Sequence, residues 1–196
     1  MKNASGEMNV MVMAERAEPR TTYILQRGVW DQKGEEVSRG LPAAVLPVAL
    51  DSDATRLDLA RWLVADENPL TARVIVNQFW QLLFGAGLVR TPDDFGLQGL
   101  PPAHPEVLDW LALEFRDSGW DVRHVLRAIV LSETYQQSSE ISPELLELDP
   151  SNEWLARGAR YRLPSWMLRD GALHAAGLLN PGIGGPPVMP YQPEGV

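Results

Sequence analysis

Few side chains in this 196-residue sequence have types and spacings that could do chemistry, and they form four groups. The first is Asp94-Phe95-Gly96, the tripeptide that holds magnesium in protein kinases. That chemistry also needs a glycine-rich loop, a strand lysine and a His-Arg-Asp catalytic loop, and none precedes it. Asp93-Asp94-Phe95-Gly96 comes after Thr91-Pro92 between two helix-like stretches, so it reads as a turn. Aspartate oxygens take backbone N–H groups, Phe95 anchors the loop, and Gly96 allows a positive φ.

The three histidines form the second group. His174 lies four residues after Asp170, a spacing that puts two metal ligands on one helix face. His104 precedes Pro105 at a helix start, where it can cap or hold the preceding loop, and His124 points away from the apolar side of its helix toward solvent. Nothing in the spacing makes them converge, so no metal site is expected. The adjacent carboxylates Asp93-Asp94 and Glu35-Glu36 form the third group, and neighbours in sequence do not give the opposed pair of a glycosidase. No Gly-x-Ser-x-Gly elbow occurs, and there is no cysteine for thiol catalysis, zinc–thiolate or iron–sulfur chemistry. The Gly-rich stretch at 182–185 precedes Pro186-Pro187 instead of the helix start that would cradle a phosphate.

The fourth group is a polar stripe, Arg73, Asn77 and Gln81, with Trp80 beside it, on a helix whose other positions are apolar. Two readings stay open. In one, Arg73 and Asn77 tie down the 85–103 loop through Asp93, Asp94 and backbone carbonyls. In the other, the stripe is the floor of a ligand or partner groove. Arg157, Arg160, Arg162 and Arg169 are expected to pair with the acidic excess, because a buried arginine needs a carboxylate.

The elements that must place these residues are mainly helical. Residues 55–66 carry Leu57, Ala60, Leu63 and Val64 at helical spacing, with Thr55 and Asp58 as the N-terminal cap pair. Asn68-Pro69 restarts the chain into a helix that stops at Gly85, with Ile75, Val76, Phe79, Leu82 and Leu83 on one face. Residues 104–132 read as an antiparallel helical hairpin. Its first face is Val107, Leu108, Leu111, Ala112 and Phe115, and Gly119 breaks it. Asp121 caps the second helix, with Val122, Val125, Leu126, Ile129 and Val130 inward. Asp149-Pro150 opens a short helix through Trp154, and a last helix spans about 164–179 with Leu168, Ala172, Ala175 and Leu179 inward. At the front, residues 9–15 and 21–28 read as two strands, with an irregular segment after them over 28–52. The expected organisation is an extended arm with short strands (1–52), a helical domain (53–180) and a Gly/Pro-rich tail (181–196). The fold class is mainly α, a helical bundle with a small β appendage and long irregular arms.

Composition narrows the function classes. The net charge is −9, and the few lysines are Lys2 and Lys33, so no basic stripe exists for a phosphate backbone and no nucleic-acid partner is expected. No apolar run approaches the roughly 18 residues that cross a membrane.

The block from Arg56 to Ser139, "RLDLARWLVADENPLTARVIVNQFW" through "VLSETYQQSS", resembles the PSD1 domain of Planctomycetes, also known as domain of unknown function 1553. "YILQRGVWDQKGEEVSRGLPAAVLP" resembles the segment before that domain, and "RYRLPSWMLRDGAL" through "GGPPVMPYQP" resembles its C-terminal continuation. The resemblance implies a large exported polypeptide, periplasmic or extracellular, in which this domain is joined to a DUF1549-like domain and a cytochrome c-like haem domain. This chain has no Cys-x-x-Cys-His, so any haem c would sit on a separate domain. The family pattern continues past "PYQPEGV", which makes a C-terminal fragment the expectation. Gln78 stands where the family commonly has arginine, and no catalytic residues carry over. The expected role is a structural or interaction module of that larger protein. The alternatives are a substrate-contacting part of a haem-linked oxidoreductase, or a module binding carbohydrate or another small ligand.

Overall fold

The computed structural model describes residues 10–18, 20–51 and 53–184. It is mainly helical, with seven helices and one two-stranded antiparallel sheet among those residues. The sheet pairs β1 (Thr22–Leu25) with β2 (Lys33–Val37) in the register Thr22 to Val37 and Tyr23 to Glu36, with an irregularity before Leu25 meets Lys33. This corrects the expected strands. Residues 10–16 carry none, and the partner of β1 lies within the segment expected to be irregular. The turn at Gln26–Gly28 folds the chain back immediately after β1, so pairing goes forward along the chain.

Helix α1 (Arg56–Leu63) starts at a capping box. Thr55 accepts from the backbone of Leu57, while the Asp58 carboxylate accepts from the Thr55 backbone N–H at 2.8 Å. Its buried residue is Trp62, whose Nε1 donates to Leu46 O at 3.1 Å. Leu57, Leu63 and Val64, the expected apolar stripe, are exposed instead. The preceding arm covers the indole side of the helix, and nothing among the described residues covers the other.

Helix α2 (Thr71–Phe84) follows a turn in which the Asn68 side chain accepts from the backbone N–H groups of Leu70 and Thr71. The hairpin is α3 (Pro105–Asp117) and α4 (Val122–Val130). Gly119 turns the chain at φ +74°, and the Asp121 carboxylate accepts from the N–H groups of Arg123 and His124. One core joins the three helices: Val76, Trp80 and Phe84 from α2, Leu108, Leu111, Ala112 and Phe115 from α3, and Val125 and Ile129 from α4. Trp80 stacks on Phe84 with ring centres 4.1 Å apart, and Phe115 meets Phe79 and Trp120 edge to face. Burying such faces is the dominant favourable contribution to folding here.

Of the expected α2 face, Val76 is buried in this core and Ile75, Phe79 and Leu83 pack against it, with Trp80 and Phe84 beside them, while Leu82 is exposed. The loop after α2 returns over the opposite side and adds Leu88 and Val89 to the core, so α2 is enclosed from two directions. Val107 and Val122, at the ends of the hairpin faces, stay largely outside. His124 is half-exposed but not simply solvated, since its Nε2 meets the Glu114 carboxylate and ties α4 to α3. Two short helices, α5 (Glu133–Gln136) and α6 (Pro143–Leu148), come next. Residues 149–154 form turns where a short helix was expected. The last helix, α7 (Ser165–Ala175), is shorter than expected and buries no residue. From residue 185 on, the expected Gly/Pro-rich tail lies outside the described residues.

Candidate functional site

The polar stripe of α2 splits three ways. Arg73 leaves the 85–103 loop alone. Its Nε donates to Asp109 of α3 at 2.7 Å and its Nη1 to Pro69 O at 2.6 Å. Asn77 is fully buried and makes two bonds to a single residue of the returning loop. Its Nδ2 donates to Val89 O at 3.0 Å, and its Oδ1 accepts from Val89 N at 2.8 Å. Gln81 faces a groove of about 520 Å³ that it shares with Gln78, Tyr161 and Met167. Trp80, near Asn77 in sequence, turns to the wall of a different cavity.

The loop residues also act locally. Asp94 Oδ1 accepts from Gly96 N at 2.7 Å, and Thr91 Oγ1 donates to Asp94 O at 2.9 Å. Phe95 packs against the core, Asp93 is exposed, and neither aspartate meets Asn77 or Arg73. Gly96 keeps an ordinary φ, contrary to expectation; its part is to give its N–H to Asp94. His104 caps nothing with its ring. Its Nε2 donates to Glu153 O at 2.7 Å, reaching a loop 49 residues later instead of the one before it.

That later loop is the site sequence reasoning did not assemble. Between it and the end of α2 lies a cavity of about 290 Å³. Trp80 and Phe84 form one wall, with Arg90, Asn152 and Arg157 among the polar lining. Arg90 pairs with Glu153 at 3.1 Å and donates to Ser151 O at 3.0 Å. Asp149, buried, organises the loop by accepting from Glu153 N at 2.8 Å and Trp154 N at 2.9 Å. Arg157 is buried as well, but it does not form the expected carboxylate pair. Its Nη2 donates to the carbonyls of Asp149 and Pro150. Arg169 does pair with an acid, Asp170. A signal for this loop was present in "DPSNEWLARGARYR", where Asp-Pro and Asn mark a turn around a buried arginine.

Burial works to raise the pKa of Asp149. The N–H groups of Trp154 and Glu153, with the charges of Arg157 and Arg90, outweigh it and hold the carboxyl below its ordinary 3.8. A depressed folded pKa means that the ionised form stabilises the fold. The contribution is complete above the ordinary carboxylate value and is lost as pH falls through the lower folded value. Asp149→Asn is therefore expected to melt earlier than wild type near neutral pH. Thermal melts from about pH 6 down to about pH 2 should show that gap narrowing in acid. A gap of constant size would show that the charge contributes nothing.

Among the described residues, no helix is long and apolar enough to cross a membrane. No curated protein and no solved structure matches the chain. Residues 55–196 match PSD1, described as a protein of unknown function (DUF1553). The match begins at Thr55, the residue that caps α1, so it takes in the Asn77 tether and the Arg157 loop and leaves out the β hairpin and the segment before the helices. The chain belongs to the PSD1 (DUF1553) family.

Proposed function

We propose that this chain is an interaction module whose last helix docks against a neighbouring domain of a larger, exported polypeptide. The observation that carries the reading is α7, a helix of 11 residues that buries none of them. Trp166 is 58% and Leu168 54% exposed, and Leu178, just beyond the helix, is 72% exposed. An isolated helix shorter than about 12–15 residues is marginal in water, so its order needs apolar packing from elsewhere. Exposed tryptophan and leucine in one stretch are what interface cores are built from. The neighbours we propose are those that the family resemblance implies, a DUF1549-like or a cytochrome c-like haem domain. Either would have to offer an apolar surface to this helix.

Hydrogen exchange tests this. In the polypeptide encoded by the complete reading frame, the α7 amides are expected to exchange about a hundredfold more slowly than in the 196-residue chain, while core amides of α2 and α3 stay unchanged. Trp166→Asp in the complete polypeptide should return α7 to fast exchange. Equal α7 exchange rates in the two proteins would sink the proposal.

A further inference from the structure

The cavity beside the end of α2 contains an unmet pair of demands. Arg157 Nη1 and Asn152 Oδ1 are shut away from solvent and have no hydrogen-bond partner among the described residues. Both residues line the cavity. Arg157 is 8% exposed, and its guanidinium is clamped, with Nη2 donating to Asp149 O at 2.9 Å and to Pro150 O at 3.1 Å. Those partners are neutral carbonyls. The Asp149 carboxylate favours the charge from nearby, but its oxygens are taken by two backbone N–H groups. A buried guanidinium hydrogen-bonded only to carbonyls, with one nitrogen unused, has no anion bonded to it directly.

Asn152 presents the complementary need. Its Nδ2 donates to Arg157 O at 2.9 Å, which fixes the amide orientation, because the reverse placement would set oxygen against oxygen. Oδ1 is thus an acceptor without a donor. A ligand that satisfies both residues brings an oxygen, best a charged one, to Arg157 and a hydroxyl to Asn152. The charged lining agrees. Arg90, Arg157 and Arg160 stand against Glu153 alone, on a chain whose net charge is −9. The volume of about 290 Å³ lies at the small end of ligand cavities, which run from roughly 300 to 1,000 Å³. We infer that this cavity binds a small hydroxylated carboxylate, a sugar acid or hydroxy acid, with its carboxylate on Arg157 and a hydroxyl on Asn152. Trp80 and Phe84 supply the apolar wall against its carbon skeleton. The site is independent of α7 and of what covers that helix.

Calorimetric titration of the folded chain with lactate, gluconate and glucuronate, set against acetate and glucose, tests it. At least one hydroxylated carboxylate is expected to bind about tenfold or more tightly than acetate or glucose, because a site built for a hydroxyl disfavours the analogue lacking it. Arg157→Gln should abolish binding of every carboxylate. Because that variant removes a buried, clamped group, Asn152→Gly carries the test should Arg157→Gln fail to fold. Asn152 sits at φ +55°, which glycine tolerates, so the variant removes the amide without straining the backbone. It should weaken the hydroxylated probes about tenfold and leave acetate unchanged. Absence of binding by all three hydroxylated carboxylates at about 50 mM overturns the inference. So does acetate or glucose binding as tightly as they do, since the cavity would then hold only an adventitious anion, or hydroxyls without regard to charge.

Discussion

Asn77→Ala is expected to lower the thermal midpoint by roughly 10 °C, one of the two largest effects expected of a single substitution in this chain. Asn77 has no exposed surface, and both its bonds run to the backbone of Val89, which is itself in the core. Alanine removes both and leaves Val89 N–H and C=O facing a small void. An unsatisfied buried backbone group costs about 1–3 kcal/mol, so the pair should cost roughly 3–5 kcal/mol. That is a large share of the roughly 5–15 kcal/mol that holds a domain folded. Asp94→Ala is the control. Asp94 supports only the Gly96 N–H in a partly exposed turn, and its loss should cost about 0.5–1.5 kcal/mol. Similar melting temperatures for the two variants would mean that Asn77 does not tether the loop.

Asn77→Asp sharpens the test. A carboxylate would still accept from Val89 N but would set a second oxygen against Val89 O, whereas a protonated carboxyl could donate there as the amide does. Burial and that carbonyl would raise its folded pKa above the unfolded value of about 3.9. The variant's stability relative to wild type should then be greatest below that unfolded value. It should fall by about 1.4 kcal/mol per pH unit until the folded pKa is reached. A defect independent of pH would place the cause elsewhere than in the hydrogen bond donated to Val89 O.

Asn77 also shows where the sequence could be read and where it could not. Its place on a stripe with Arg73 and Gln81 comes from helical spacing, as do the helical hairpin, the Thr55/Asp58 box and the turn at Gly119. These depend on residues within one or two turns of each other. The burial of Asn77 does not, because residues 85–103 fold back over the helix, and no periodicity records a loop's return. The same reason explains why Arg73 reaches Asp109, why His104 reaches Glu153, and why Arg157 came without its carboxylate. Helix α7 fails in the opposite sense. Its apolar spacing is sound, but Leu168, Ala172, Ala175 and Leu179 have nothing to face among the described residues. Amphipathic spacing says that a face will be covered without saying by what.

The other large effect is expected at the end of α2. Gly85 caps the helix at φ +80°, with its N–H donating to Gln81 O, and a Cβ there would lie 2.6 Å from Cγ and 2.8 Å from Cβ of Tyr161. That ring cannot easily step aside, because Tyr161 Oη donates to Leu82 O at 2.6 Å on the same helix end. Gly85→Ala therefore faces two costs. The left-handed backbone costs roughly 1–2 kcal/mol for a residue with a Cβ, and the collision roughly 1–3 kcal/mol more. The costs separate in a double-mutant cycle. In a Tyr161→Ala background the collision is gone, and Gly85→Ala should cost only the backbone share. In a Tyr161→Phe background the ring remains while its hydrogen bond is lost, so Gly85→Ala should cost nearly as much as in wild type. Urea unfolding of the six proteins gives these differences directly. If Gly85→Ala costs the same with and without the ring, Tyr161 does not press on the helix terminus. The 159–164 segment would then rest on α2 without being fitted to it.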